Sequence, residues 1–354
     1  MAGTESTHAA LWLASPGAEM RVGEAPVHVP GEGEIVVRAR AIAVNLIDAM
    51  GGIARRVVLP WLNYPAVMGT DVAGEVVSIG AGVTTFAVGD RVVGHAVGGE
   101  RGRNSATEGA FQTHVVLLSH MTAAIPASMP FEDACVLPLG VSTAAAGLFE
   151  PDQLGLPFPV AGAKPTGETV LVLGGATSVG MNAIQLAHNA GYAVVATASS
   201  VNAPLLQRLG ASAVVDYHDR DAVEQCIRQL SGQHLAGVMA IASGSLRDAV
   251  AVTASPSITG TRRIASAHPT PVTRVRATLA RRRQIRISAI WGGSPRDNAV
   301  GPAIWNDFLP GALARGDYLA APTPVVVGHG LEALPQALDR FRAGAKAEKF
   351  IVTL

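Results

Sequence analysis

The sequence predicts an α/β fold in which a doubly wound parallel sheet is accompanied by a separate, mostly β domain. Three observations carry this. The middle of the chain alternates short β-branched runs with helical segments, the pattern of stacked βαβ units. Hydrophobic residues make up 49% of the 354 positions and charged ones 15%, with 39 glycines, which suits a large buried parallel sheet joined by tight turns. The length also exceeds that of an ordinary single core, so two domains are expected.

The runs 169–173, 193–198, 213–217, 238–241, 262–265 and 285–290 read as six strands, the number in a Rossmann sheet. From 169 to 207 there is no Asp, Glu, Lys or Arg, yet Gly, Ser, Asn and Thr interrupt every apolar run. The stretch therefore reads as buried core rather than a membrane span. Segment 34–93 carries β-rich runs broken by Gly and Pro, as in 76–80 and 90–93, and reads as the β domain. Further on, 306–315 and 331–342 read as helices and 350–354 as a terminal strand.

Lys plus Arg equals Asp plus Glu at 27 each, so the chain offers no net field for nucleic acid or an anionic membrane. A small molecule is the partner expected. No basic stretch leads into an apolar one near the N-terminus, and Cys135 and Cys226 are too few for a disulfide framework, so a reduced, cytoplasmic protein is expected.

The first strand of the sheet runs into Gly174, Gly175, Ala176, Thr177, Ser178, Val179 and Gly180. Small or apolar residues then recur at Gly180, Ala183, Ile184, Ala187 and Ala190, one face of a helix. A strand, a glycine turn and a helix N-terminus present N–H groups and a positive dipole end to a pyrophosphate. Against G-x-G-x-x-G the outer glycines are Gly175 and Gly180, and Thr177 holds the middle place. Thr177 and Ser178 offer hydroxyls to phosphate oxygens. Some twenty residues on, where an NAD enzyme places a carboxylate on the ribose 2′-OH, this chain reads Ala198, Ser199, Ser200, Val201, Asn202. The lack of an acidic residue in that stretch favours NADPH; a plain polar turn is the other reading.

The stretch Tyr64-Pro-Ala-Val-Met-Gly-Thr-Asp-Val-Ala-Gly74, with Gly80, Val83, Phe86, Gly89-Asp-Arg-Val92, Gly109-Ala-Phe111 and Ile125-Pro126, resembles the zinc-independent branch of the medium-chain dehydrogenase/reductase family. Leu154-Gly-Leu-Pro157, Lys164-Pro-Thr-Gly167 and Ala196-Thr-Ala-Ser-Ser-Val-Asn202 are similar to its quinone-oxidoreductase-like and trans-acting enoyl reductase members from secondary metabolism. The resemblance implies a GroES-like catalytic domain over 1–140 and 294–354, a Rossmann domain over 141–293, and a homodimer. It implies an NADPH site made of the loop Gly174 to Gly180, then Ser199, Ser200, Asn202, Tyr217, Ile241, Ala242, Ala345 and Lys346, with Thr143 beside the nicotinamide. The family's Asn-Pro-x-Asp-Trp-Lys element stands here as Asn45-Leu-Ile-Asp-Ala-Met50. It keeps Asn45 and the cofactor-side Asp48 but puts Met50 where the family has lysine, so any proton donation by that lysine does not carry over.

The Gly-His-Glu element of the family's zinc enzymes resembles Gly69-Thr70-Asp71, with Thr70 in place of the His ligand, and the four-cysteine loop is absent. No metal is therefore expected, and Cys135 and Cys226 read as small buried hydrophobes. Without a metal, charge developing on a hydride acceptor must be met by hydrogen-bond donors. That suits an enone, an enoyl thioester or a quinone better than a simple ketone. Asn45 and Thr143 are the candidate donors and Tyr64 a candidate general acid, ring packing being the other reading of Tyr64. His95 and His268 read as structural, with cleft lining as the alternative. Arg281, Arg282, Arg283 and Arg286 form a basic run, either a solvated helix face or a dock for an acidic carrier protein or a coenzyme A phosphate. An NADPH-dependent reductase is the expected function, with a non-redox NADPH-binding protein or a redox-neutral cyclase on the same scaffold as alternatives.

Overall fold

Strands β1 (Thr7–Leu13), β2 (Met20–Pro26), β3 (Glu34–Ala43), β4 (Ala66–Val67), β5 (Asp71–Ile79), β6 (Arg91–His95), β7 (His114–Leu118) and β8 (Thr122–Ala124) build the first of two units, Met1–Leu139 with Thr323–Leu354, in a computed structural model that describes residues 7–267 and 284–354. Strands β9 (Glu168–Leu173), β10 (Ala193–Ala198), β11 (Ala213–Asp216), β12 (His234–Ala240), β13 (Thr259–Gly260), β14 (Arg263–Ser266) and β15 (Arg286–Ala289) belong to the second, Gly140–Pro322. Two last strands, β16 (Thr323–His329) and β17 (Glu348–Thr353), return to the first unit.

In the first unit one sheet runs β16-β17-β3-β5-β6-β8, with β7 also paired to β3, and a smaller one runs β2-β1-β4. The long strand β3 buries Ile35, Val37, Ala41 and Ile42 completely, as the centre of such a sheet requires. Its register with β5 shifts between Ala39 and Ala41. Close by, a Cβ on Gly74 would lie 2.1 Å from the Arg38 carbonyl oxygen, so only glycine lets the two backbones approach there.

The second unit has the order β11-β10-β9-β12-β14-β15, with the short β13 beside β12, and all its pairs are parallel. Leaving β13 aside, this is the 3-2-1-4-5-6 order of a Rossmann sheet, and all six expected strands are present. Residues Val170 to Leu173 are buried, the mark of a strand covered on both faces. Leu171, Leu173, Val195, Val215, Val238 and Ile264 form the sheet's part of one core, against Leu230, Ala249 and Val252 from the helices Ala222–Leu230 and Ser245–Ala254. Strand order reverses beside β9, so the loops after β9 and β12 flank a crevice at the carboxyl ends of the strands, where ligands bind in such sheets.

Two expectations change here. The segment 294–322, expected with the β domain, packs in the second unit. The reason is a set of buried polar pairings: Trp305 Nε1 donates to Ser142 Oγ (3.2 Å), Tyr318 OH to Asn182 Oδ1 (2.7 Å), and Gln185 exchanges two bonds with the Leu319 backbone (2.7 and 3.1 Å). Arg286 lies on strand β15, not on a helix face, and donates to the Asp152 carbonyl (3.1 Å). Arg281, Arg282, Arg283 and His268 lie outside the described residues. The expected helix 306–315 is part of a longer helical stretch, with π-type turns over Ala303–Phe308 leading into Leu309–Arg315. Among the described residues, no helix is long and apolar enough to cross a membrane.

Candidate functional site

Gly174 closes the turn after β9 at φ +99°, a conformation only glycine takes readily, and a Cβ there would meet Ala242 Cβ at 2.7 Å. Ile241 and Ala242 both donate their backbone N–H to the Leu173 carbonyl (3.0 and 3.2 Å), which brings the two expected loops together. At Gly180 a Cβ would stand 2.2 Å from the Gly174 carbonyl oxygen, so the first turn of the helix Ser178–Asn189 sits directly on the loop.

Thr177 caps that helix: its hydroxyl accepts from Gly180 N (3.0 Å) and donates to the Gly174 carbonyl (2.8 Å). Its proton is thereby committed to the loop, which corrects the expectation that Thr177 donates to a phosphate. The Ser178 hydroxyl is buried and has no hydrogen-bond partner in the protein, an unused donor at the head of the helix. Together with the loop N–H groups, this cradle fits a pyrophosphate.

Ser199, Ser200, Asn202 and Tyr217 gather at the carboxyl ends of β10 and β11, whose parallel register sets Ala198 opposite Asp216. That pairing introduces a carboxylate which the sequence reading missed. Asp216 Oδ2 accepts from Ser200 N (2.8 Å), while Oδ1 accepts from His218 N (2.9 Å) and pairs with His218 Nδ1 (2.8 Å). The two backbone bonds hold its carboxyl far below the ordinary carboxylate range. Asp216 lies 16 residues beyond Ser200, and only the strand pairing reveals their contact.

In the first unit Asn45 precedes the short helix Leu46–Ala49. Asp48, wholly buried, accepts from Asn45 N (2.9 Å) through one oxygen and from Gly69 N (3.1 Å) through the other. Asn45 Nδ2 donates to Thr70 Oγ1 (2.8 Å), and Thr70 Oγ1 donates to Asp71 Oδ1 (3.1 Å). Asp71 Oδ1 also accepts from Leu139 N (2.9 Å), and Oδ2 holds the buried Lys349 ammonium at 2.5 Å. Asp48, Met68, Gly69, Thr70, Ala96 and Gly99 line a small cleft. Lys349 escaped the sequence reading; the one signal was a lysine beside the apolar run of the last strand.

Burial pushes the Asp48 carboxyl up to about 7, against the lowering effect of the Asn45 N–H bond, with Asp71 adding to the rise. A carboxyl raised on folding binds its proton more tightly in the native state. Its contribution is full below pH 4 or so and is lost as pH climbs through 7. Stability measured by urea unfolding is therefore expected to fall by about 1.4 kcal/mol between pH 6 and pH 8, and the fall should be absent in Asp48→Asn. An unchanged slope in the variant would refute the assignment.

The other expected residues are placed as follows. Tyr64 is half-buried, its hydroxyl is enclosed without a hydrogen-bond partner in the protein, and burial raises the phenol's pKa. Thr143 is buried on the helix Pro138–Phe149 of the second unit, and Ala345 and Lys346 are exposed just before β17. His95 is fully buried at the end of β6. Both cysteines are buried, and Cys135 Sγ donates to the Ala41 carbonyl (3.2 Å).

Residues 31–127 match the family model described as the alcohol dehydrogenase GroES-like domain. The dehydrogenase pigH of Monascus ruber is 40% identical over 98% of this chain and 100% of its own length. The trans-enoyl reductase himH of Aspergillus japonicus is 35% identical over 95% of this chain and 94% of its own. Among solved structures, the CurK enoyl reductase superposes with a TM-score of 0.76 at 19% identity, covering 98% of this chain and 99% of its own, a likeness of fold.

Proposed function

Because the chain belongs to the medium-chain dehydrogenase/reductase family, we propose that it reduces an activated C=C, in an enone or enoyl thioester, or a quinone, using NADPH and no metal. Membership makes it an oxidoreductase with a nicotinamide cofactor. The observation that carries the finer reading is Thr70. At the position that resembles the metal-binding histidine of the zinc enzymes, a hydroxyl already bonded to Asn45 and Asp71 offers no ligand set. Polarising the acceptor then falls to hydrogen-bond donors, which serve when the charge spreads into an enolate or hydroquinone oxygen.

A bound nicotinamide supplies the hydride. The loop N–H groups and the Ser178 hydroxyl hold the pyrophosphate. Asn45, with one amide N–H given to Thr70, keeps a second for an acceptor oxygen, and Thr143 is the donor proposed for the nicotinamide side. Tyr64, protonated at neutral pH as any tyrosine is, with its pKa raised further by burial, is the group proposed to deliver a proton to the carbon that does not take the hydride. The trans-enoyl reductase among the relatives supports the enoyl class.

A panel of enones, enoyl thioesters and quinones should contain at least one acceptor that consumes NADPH and yields the reduced product, in protein free of zinc by elemental analysis. Turnover confined to saturated aldehydes or alcohols, or activity that disappears with a chelated metal, overturns the proposal. Cofactor choice is tested separately. Ser200→Asp places a second carboxylate beside Asp216 and is expected to weaken NADPH by about 1–3 kcal/mol in fluorescence titration, with NADH much less affected. Equal losses for both cofactors would contradict an NADPH site at this strand end.

A further inference from the structure

The carboxylate at the end of β11 poses a problem of charge. Asp216 is bonded to the backbone of Ser200, one of the residues proposed to receive the NADPH 2′-phosphate, and two anions held that close repel. No Lys or Arg lies in the turn 199–203 to offset this. The basic side chain set on Asp216 is His218, whose Nδ1 lies 2.8 Å from Oδ1. Its ring also stacks against Tyr217, with centroids 4.1 Å apart and planes inclined by 34°.

The carboxylate can only accept, so Nδ1 carries a proton and donates to Asp216, and this bond fixes the ring and leaves Nε2 on its far side. His218 is well exposed, its side chain at 61%, so Nε2 is open to a ligand. Nε2 donates outward only when the ring carries a second proton; with its single proton on Nδ1 it presents Nε2 as an acceptor. We propose that His218 is a cofactor-selecting residue: anchored by Asp216 and steadied by Tyr217, the ring in its doubly protonated form offsets the carboxylate and donates through Nε2 to the 2′-phosphate of NADPH. Asp216 is then a positioning residue. It holds the Ser200 turn with one oxygen and orients the selecting ring with the other.

The inference rests on the reading of this strand end as an NADPH site, and binding measurements separate the two without any substrate. Wild type, His218→Ala and His218→Lys are titrated with NADPH and NADH, and competed with adenosine 2′,5′-bisphosphate and with 5′-AMP, which differ by the 2′-phosphate. His218→Ala is expected to lose about 5–20-fold in affinity for NADPH and the bisphosphate, with NADH and 5′-AMP within about twofold and the melting temperature unchanged. His218→Lys should regain most of that loss, because a lysine supplies the charge without the ring. A wild type that prefers NADPH while His218→Ala binds it equally well overturns the inference alone. Equal losses for all four ligands overturn it too, since they would mean that the ring merely packs against the adenine. A wild type with no preference for the 2′-phosphate overturns the inference together with the reading beneath it.

Discussion

Gly180→Ala is expected to lower NADPH affinity by roughly 100-fold, about 3 kcal/mol, and to lower the melting temperature as well. The added methyl would stand 2.2 Å from the Gly174 carbonyl oxygen and 2.8 Å from Gly175 Cα, both backbone atoms of the loop proposed to cradle the pyrophosphate. No side chain can swing aside to absorb the clash, so either the loop or the first turn of the helix must move. Moving the loop also breaks the bracing bonds of Thr177, whose hydroxyl links Gly180 N to the Gly174 carbonyl. Gly17→Ala is the control: a Cβ at Gly17 meets nothing within 4 Å, and its effect should stay within about 0.5 kcal/mol. Cofactor titration and thermal unfolding of the two variants decide the matter, and a Gly180→Ala protein that binds NADPH like wild type would disprove the assignment of the cradle.

Lys349→Met is expected to cost about 3–5 kcal/mol in urea unfolding, because it leaves the wholly buried Asp71 without its cation. Replacing both partners, as in Lys349→Met with Asp71→Leu, removes the uncompensated charge and should recover part of the loss. Recovery stays incomplete because Asp71 also accepts from Leu139 N and Thr70 Oγ1, and a buried N–H left unpaired costs about 1–3 kcal/mol. A single variant as stable as wild type would mean that the pair contributes nothing.

The parts of the fold legible in the sequence were those written in local periodicity. The buried run Val170 to Leu173, the glycine turn after it and the helical face at Ala183, Ile184 and Ala187 announce a β-turn-α unit by composition alone. What could not be read was set by pairing across distance. Asp71 and Lys349 are 278 positions apart, and nothing local marks either as the other's partner. Asp216 reaches Ser200 only because β10 and β11 run parallel in a particular register. Thr177 looked like a phosphate donor because a hydroxyl in such a loop has two equally local uses, and only geometry shows which one takes the proton. The boundary near 294 was misplaced for a related reason: the apolar pattern around Trp305 and Phe308 says that the segment is buried, but not against which unit.

The return of the chain as β16 and β17 has a consequence for biosynthesis. β17 lies between β16 and β3, so the sheet of the first unit lacks two of its strands until residues 323–353 have been made. The second unit is one uninterrupted stretch, Gly140–Pro322, and holds all the strands of its own sheet before β16 is translated. β7 already covers Glu34–Arg38 on the β17 side of β3, but at about 5–20 residues per second the stretch Ala41–Ala43, which pairs with β17, waits on the order of 15–60 s for its partner. The order of completion on the ribosome is therefore the reverse of the order in sequence: the later unit has all its strands first, and the earlier one completes its sheet only when β16 and β17 arrive.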